Sequence, residues 1–71
     1  MEKQKDLEQL GEQMRLLREA KGWTQLDLSY ETGIDPGYIS KIERAKTEPG
    51  ITMVIVIARA LECKIDDLIK L

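Results

Sequence analysis

The chain contains no histidine, no phenylalanine and a single cysteine, Cys63. One cysteine cannot form a disulfide within the chain, and a lone thiolate without histidine cannot supply the four ligands of a structural zinc site. The absence of histidine also removes the commonest general base, and no serine or cysteine has a base and an orienting group to activate it. The sequence therefore predicts neither an enzyme nor a metal-binding protein, and we expect no cofactor.

Long apolar segments are also missing. No segment approaches the roughly 20 apolar residues that a membrane-spanning helix needs. The first ten residues, MEKQKDLEQL, carry acids where a signal peptide has its apolar stretch. Aromatic residues make up only 4% of the chain, which leaves little material for stacking nucleic-acid bases. We expect a cytoplasmic protein without a membrane partner.

The remaining composition is that of a small folded domain. The chain has 71 residues, of which 42% are hydrophobic and 34% charged, and its net charge is -2. A domain of this length buries only roughly 60% of the surface that its unfolded chain exposes, so its stability is small. Small domains often gain further stability from disulfides, bound metals or partner subunits, and the residue content excludes the first two. Self-association is the source of additional stability that remains.

Helical periodicity and capping residues divide the first half of the chain into short helices. Apolar residues recur at helical spacing from Leu7 to Ala20, until Gly22 ends the first helix. Thr24 and Asp27 are spaced as a capping box at the start of the second helix. Gly33, which is free to take a positive φ, ends that helix.

The second half of the chain contains three further helices. Asp35 is placed to cap the third, with Pro36 at the first helical position, where its missing N–H does no harm. The run ITMVIVIARALE, residues 51–62, has the β-branched density of a strand. Its helical spacing and the lack of a partner strand favour a helix. IDDLIKL, residues 65–71, completes an all-α domain of five helices that spans 1–71.

The region from Gln25 to Arg44 combines the features that two steeply crossing helices require. Ser29 is small enough for close approach, and Gly33 permits a sharp turn. Four apolar residues can anchor the two helices from behind: Leu28, Ile34, Ile39 and Ile42. Together these features favour a helix-turn-helix.

At this point the sequence resembles a known family. LREAKGWTQLDLSYETGI, YISKIERAK and IARALECKIDDLI follow one another as in the helix-turn-helix family of phage repressor and Cro-like transcriptional regulators. DLSYETGIDPGYISKIER is also similar to the small controller proteins of restriction-modification systems. The resemblance implies a compact lambda-repressor-like domain, with its helix-turn-helix at 24–45, that binds double-stranded operator DNA as a homodimer. An alternative is a protein-interaction module of the antitoxin or anti-repressor type with the same fold.

In this family the helix after the turn enters the major groove with its N-terminal end first. The resemblance places five residues at or near base edges: Asp35, Pro36, Gly37, Ser40 and Lys41. Pro36 and Gly37 have no hydrogen-bonding side chain, so the contact that Asn or Gln side chains make with adenine is not available at these positions. Lys41 is expected to contact guanine. Asp35 has two possible roles, as the N-cap of the helix or as an acceptor for cytosine N4.

The resemblance also implies contacts with phosphates and a buried ion pair. The predicted phosphate contacts are Thr24, Gln25, Tyr38, Arg44 and Lys46, with backbone N–H groups at the helix starts adding to them. Arg18 is expected to pair with Glu43 and tie the first helix to the recognition helix. Because DNA binding depends on local potential, the net negative charge does not prevent it.

The fourth helix is predicted to have two apolar faces. Its core-facing residues are Ile51, Val54, Ile57, Ala58 and Leu61. At 100° per residue Val56 lies nearly opposite that stripe, at a position where the family usually has a polar or charged residue. The predicted dimer interface comprises Met53, Ile55, Val56, Ala60 and Ile69.

A further departure from the family is Ala45, which stands where glycine is common.

Overall fold

A computed structural model describes residues 2–70 of the chain. Its helices are α1 (Glu2–Ala20), α2 (Gln25–Thr32), α3 (Pro36–Glu43), α4 (Ile51–Leu61) and α5 (Ile65–Leu68). Within this range there is no strand, so the predicted all-α fold of five helices is confirmed. The assignment of the β-branched run after residue 50 to a helix is confirmed with it.

All five helices contribute to one core. Its buried side chains are Leu10, Met14, Leu28, Ile39, Ile42, Val54, Ile57, Ala58, Leu61 and Leu68. Full burial of a leucine, isoleucine, valine or methionine side chain stabilises a fold by about 1.5–3 kcal/mol. Helix α1 packs against α3 and α5, while α2 packs against α3 and α4. As a result α3 is held from two sides, and its remaining face is left to solvent.

The predicted caps at the two ends of α2 are confirmed. Thr24 Oγ1 accepts a hydrogen bond from the Asp27 backbone N–H at 3.1 Å, and Asp27 Oδ2 accepts one from the Thr24 N–H at 2.9 Å. At the other end Gly33 has φ +75°, a left-handed conformation that glycine adopts without a Cβ clash. The start and the end of α2 are therefore both fixed by local contacts.

Gly11 lies where α1 and α3 approach most closely, a feature that the sequence analysis did not single out. A Cβ at this position would lie 2.5 Å from the Glu43 carbonyl oxygen and 2.7 Å from that of Ile42. Both neighbours are backbone atoms at the C-terminal end of α3, so they cannot move aside by changing rotamer. Because Gly11 has no side chain, α1 and α3 can pack this closely.

Two predictions for the second half of the chain are wrong, one on the burial of Ile51 and one on the length of the last helix. Ile51, expected to face the core, is 66% exposed, because it is the first residue of α4 and lies on the rim of an open hollow beside Leu7 and Ile69. The last helix is also shorter than predicted. It ends at Leu68, and Ile69 is extended with φ −134°, so only one helical turn follows α4.

Ala45 keeps the backbone geometry that a glycine would take at this position. Its φ is +58°, in the left-handed region, and its N–H donates to the Ile42 carbonyl at 3.0 Å. The next N–H, that of Lys46, donates to the Lys41 carbonyl at 2.8 Å. A residue with a Cβ pays roughly 1–2 kcal/mol of strain in this conformation. The hydrogen bonds that close α3 are thus retained despite the alanine.

Candidate nucleic-acid interface

The two faces of α3 have separate roles. Ile39 and Ile42 are buried in the core. Gly37 and Lys41 are exposed on the opposite side, with Ser40 half-buried beside them. The core contacts therefore fix the position of α3 while leaving the polar residues on its outer face free to contact a ligand.

The start of α3 is held by Asp35. Its Oδ2 atom accepts a hydrogen bond from the Gly37 N–H at 2.9 Å, and its carbonyl accepts from the N–H groups of Tyr38 and Ile39 at 3.0 Å each. Pro36 occupies the first turn, as predicted. The N-cap role of Asp35 is confirmed, and a contact with cytosine remains a prediction.

The second turn of α3 carries an internal hydrogen bond. Arg44 Nε donates to Ser40 Oγ at 3.2 Å, four residues apart on the exposed face. Lys41, between them in sequence, is exposed and forms no ion pair with any other residue in 2–70. Of the five residues predicted to contact bases, Lys41 is the one with a long and mobile donor.

The turn between α2 and α3 is stabilised by hydroxyl groups. Ser29 Oγ donates to the Ile34 carbonyl at 2.5 Å, and Thr32 Oγ1 donates to the Leu28 carbonyl at 2.8 Å. Thr32 Oγ1 also accepts from the Ile34 N–H at 3.2 Å. Both hydroxyls precede Gly33 and bind the carbonyl and the N–H of Ile34, which lies in the turn, so they help to fix the angle between the helices.

The residues predicted to contact phosphates lie at three places. Thr24 and Gln25 lie at the start of α2, where the Thr24 side chain serves the capping box. Tyr38 is half-buried within α3, while Arg44 and Lys46 are exposed after its end. Tyr38 therefore lies near the start of α3, at the opposite end from Arg44 and Lys46.

The predicted pair of Arg18 and Glu43 is confirmed. Arg18 Nε and Nη2 donate to Glu43 Oε2 and Oε1 at 2.7 and 3.0 Å, and the two side chains are only 10% and 3% exposed. Arg18 Nη1 donates to the Trp23 carbonyl at 2.7 Å. The hydrogen bonds that Arg18 donates to Glu43 raise the pKa of Arg18 above its ordinary value. The charge of Glu43 therefore faces inward, away from the exposed surface of α3.

A third side chain, that of Gln25, joins Arg18 and Glu43, and this contact was not predicted from the sequence. Gln25 Nε2 donates to Glu43 Oε1 at 3.0 Å, so α1, α2 and α3 meet at one carboxylate. Gln25 and Glu43 are 18 residues apart, and no local periodicity relates them. The capping box at Thr24 was the available signal, because it fixes which residue begins α2.

The described part of the chain lacks the features of a metal site and of a membrane-spanning helix. Between residues 2 and 70 no group of three or more acidic or cysteine side chains is placed to hold a metal ion. None of the described helices combines the length and the apolar character needed to cross a membrane. Burial raises the pKa of the Cys63 thiol, which reduces its thiolate fraction at neutral pH.

Comparison with known proteins extends the resemblance. The family model described as helix-turn-helix, HTH_3, matches residues 14–68. An uncharacterised HTH-type transcriptional regulator of Sinorhizobium fredii is 40% identical over 58 residues, which cover 82% of this chain and 30% of the relative. A hypothetical transcription factor of Neisseria meningitidis is 38% identical over 48 residues, covering 68% of this chain and 45% of the relative. The chain spans less than half the length of these two curated relatives.

Solved structures agree in fold and size. The restriction-modification controller protein C.AhdI from Aeromonas hydrophila superposes with a TM-score of 0.85 at 32% identity, covering 89% of this chain and 96% of that one. The controller C.Esp1396I, solved as a tetramer in complex with its natural 35 base-pair operator, gives a TM-score of 0.77 at 34% identity, covering 82% and 76%. Together with the capped helix-turn-helix of α2 and α3, these matches show that the chain belongs to the HTH_3 helix-turn-helix family of DNA-binding transcriptional regulators.

Proposed function

We propose that this protein is a sequence-specific DNA-binding regulator of transcription that binds a pseudo-palindromic operator as a homodimer, with α3 in the major groove. The observation that carries the proposal is the separation of the two faces of α3. Ile39 and Ile42 fix the inner face in the core, while Lys41 and Arg44 are exposed on the outer side. The one acid within α3, Glu43, is turned toward Arg18, so the outer face can approach DNA without its repulsion.

Base contacts are assigned to the first two turns of α3 and to its cap. They comprise Asp35, Pro36, Gly37, Ser40 and Lys41. The first turn offers backbone and the proline ring rather than polar side chains, so discrimination rests chiefly on the second turn. The C.Esp1396I controller, which is solved on its operator, supports this docking mode by its similarity to the chain.

Phosphate contacts position α3 in the groove. We assign them to Thr24, Gln25, Tyr38, Arg44 and Lys46, together with the free N–H groups at the start of α2. Few of these groups are positively charged, so the affinity of one subunit is modest and falls steeply with salt concentration. Two subunits bound to one operator compensate for that modest affinity.

The homodimer is proposed to form through the outer face of α4. The assigned interface consists of Met53, Ile55, Val56, Ala60 and Ile69, all half-buried in the single chain. Met53, Ala60 and Ile69 pack partly against the core, while Ile55 and Val56 lie outside it. A two-fold axis at this face would set the two α3 helices about 34 Å apart, in successive major grooves.

Replacing Lys41 with alanine is expected to weaken operator binding by about 1–3 kcal/mol and binding to random DNA much less, because a base contact is lost. Gel-shift titration at fixed salt on both DNAs measures the two losses. Lys5→Ala, which removes an exposed lysine from α1, is the matched control and should change neither affinity appreciably. Equal losses on the two DNAs would make Lys41 a phosphate contact.

Replacing Val56 with glutamate is expected to give a folded monomer with weakened operator binding. The new charge would be buried in the dimer, whereas in the monomer Val56 is half-buried and outside the core cluster, so the longer glutamate side chain can reach solvent. Sedimentation velocity and circular dichroism measure association and folding. Leu16→Glu, at an exposed leucine of α1, is the control and should remain dimeric. A Val56→Glu protein that is still dimeric at micromolar concentration would place the interface elsewhere.

A second candidate function is a protein-interaction module of the antitoxin or anti-repressor type. It is favoured by two large side chains on α2, Leu26 and Tyr30, which are 59% and 87% exposed and lie one turn apart. Gel shifts on a random-sequence DNA pool separate the candidates. Enrichment of a particular sequence supports the regulator, whereas complete absence of DNA binding supports the interaction module.

A further inference from the structure

The hydrogen-bonding groups on the outer face of α3 are almost all donors. Lys41 has three donors and no acceptor, while Gly37 and Pro36 contribute no polar side-chain atom. Two residues, Asp35 and Ser40, have oxygen atoms that can accept. Which bases this face can distinguish therefore depends on whether those oxygen atoms are already engaged.

The hydroxyl of Ser40 has a defined direction. Its oxygen accepts the hydrogen bond from Arg44 Nε at 3.2 Å, and it donates to no group within residues 2–70. A hydroxyl has one O–H to donate and two acceptor lone pairs, so the hydrogen of Ser40 is available to a base, and the guanidinium on one lone pair makes the oxygen a poorer acceptor for a second donor. Arg44 thus orients Ser40 as a donor toward the groove.

The carboxylate of Asp35 is held back at the start of the helix. Oδ2 accepts the Gly37 N–H at 2.9 Å, and the carboxylate faces the positive end of the α3 dipole. Rotating Asp35 toward a base would break this cap, which typically contributes about 1 kcal/mol. Oδ2 is therefore committed to the fold, while Oδ1 accepts no hydrogen bond within residues 2–70 and stays beside the helix start as long as the cap is kept.

We propose that the recognition helix reads keto bases, with guanine opposite Lys41 and guanine or thymine opposite Ser40, and this rests on the proposed function. In the major groove guanine offers the acceptors N7 and O6, and thymine offers O4. Adenine shares the N7 acceptor but has an amino group where guanine has O6, and cytosine presents only its N4 amino group; these amino groups need an acceptor from the protein. Lys41 supplies donors only, and Ser40 has its hydrogen available for a base acceptor, so a keto base satisfies these two side chains more fully than an amino base.

The experiment has two parts. Selection from a random DNA pool with the wild-type protein is expected to enrich half-sites with two neighbouring keto bases on one strand. Each guanine of the selected half-site is then replaced by 7-deazaguanine, which lacks the N7 acceptor. At the guanine opposite Lys41 this replacement should weaken wild-type binding about 10-fold, and binding of Lys41→Ala less than about 2-fold. Ser40→Ala should flatten the keto preference at the neighbouring position alone.

Asp35→Asn separates capping from base reading, because asparagine also caps helices well but has lost the carboxylate charge. The inference is supported if this variant selects the same half-site as the wild type. It is overturned if the selected half-sites place adenine or cytosine at these positions, or if 7-deazaguanine weakens wild type and Lys41→Ala equally. Failure to bind any DNA would overturn the proposed function and the inference with it.

Discussion

Replacing Glu43 with alanine is expected to lower the free energy of unfolding by about 3–4 kcal/mol, because it leaves the buried Arg18 guanidinium without its counter-charge. Arg18 would keep only its hydrogen bond to the Trp23 carbonyl, and Gln25 would also lose its partner. A chain of this length has a total stability of roughly 4–10 kcal/mol. Thermal and urea denaturation should therefore show a variant that has lost a large part of its stability.

The exposed pair of Arg15 and Glu19 is the matched control. Both pairs join an arginine of α1 to a glutamate, but these side chains are 39% and 52% exposed. Glu19→Ala should cost no more than about 0.5 kcal/mol. In a double-mutant cycle the combined Arg18→Ala and Glu43→Ala protein should lose less than the sum of the single losses. Additive losses would mean that the two side chains do not interact in solution.

Replacing Gly11 with alanine is expected to destabilise the fold by about 2 kcal/mol, although alanine is the better helix former. The added methyl would meet the backbone of α3 and force the helices apart, at a cost of about 3 kcal/mol. The gain in helix propensity offsets about 1 kcal/mol of this. For a small domain the net change corresponds to a fall in melting temperature of about 8–16 °C, measurable by circular dichroism.

Gly50→Ala is the control for Gly11→Ala. Gly50 has φ −72°, and a Cβ there would meet nothing within 4 Å. Its melting temperature should stay within a few degrees of the wild type. If Gly11→Ala were equally stable, α1 and α3 would not approach each other as closely as the structure indicates.

Local signals predicted much of the fold. Thr24 with Asp27, and Asp35 with Pro36, cap their helices where the sequence placed them, because each cap is made between residues two or three positions apart. The helical assignment of α4 also held, since its spacing extends over eleven residues. The pair of Arg18 and Glu43 was reached only through the family resemblance.

Features that depend on contacts between distant segments were not predicted. Gly11 shows no local signal, because its role comes from the backbone of Glu43, 32 positions later in the chain (43 − 11 = 32). The exposure of Ile51 depends on which elements lie beside the start of α4, which periodicity along one helix does not specify. Ile69 lies beyond the end of α5 because its backbone is extended, although its apolar character suited a further helical turn.

The arrangement at Gly37 limits how this protein can evolve a new operator preference. Residues 36, 40 and 41 carry side chains outside the core, so they can change while α3 stays anchored through Ile39 and Ile42. Position 37 is different, since a Cβ there would lie 2.9 Å from Asp35 Oδ2, the oxygen that caps the helix. A lineage that diverges in DNA specificity can therefore substitute in the second turn without disturbing the cap, whereas a side chain at position 37 displaces Asp35 Oδ2 and weakens the start of the helix.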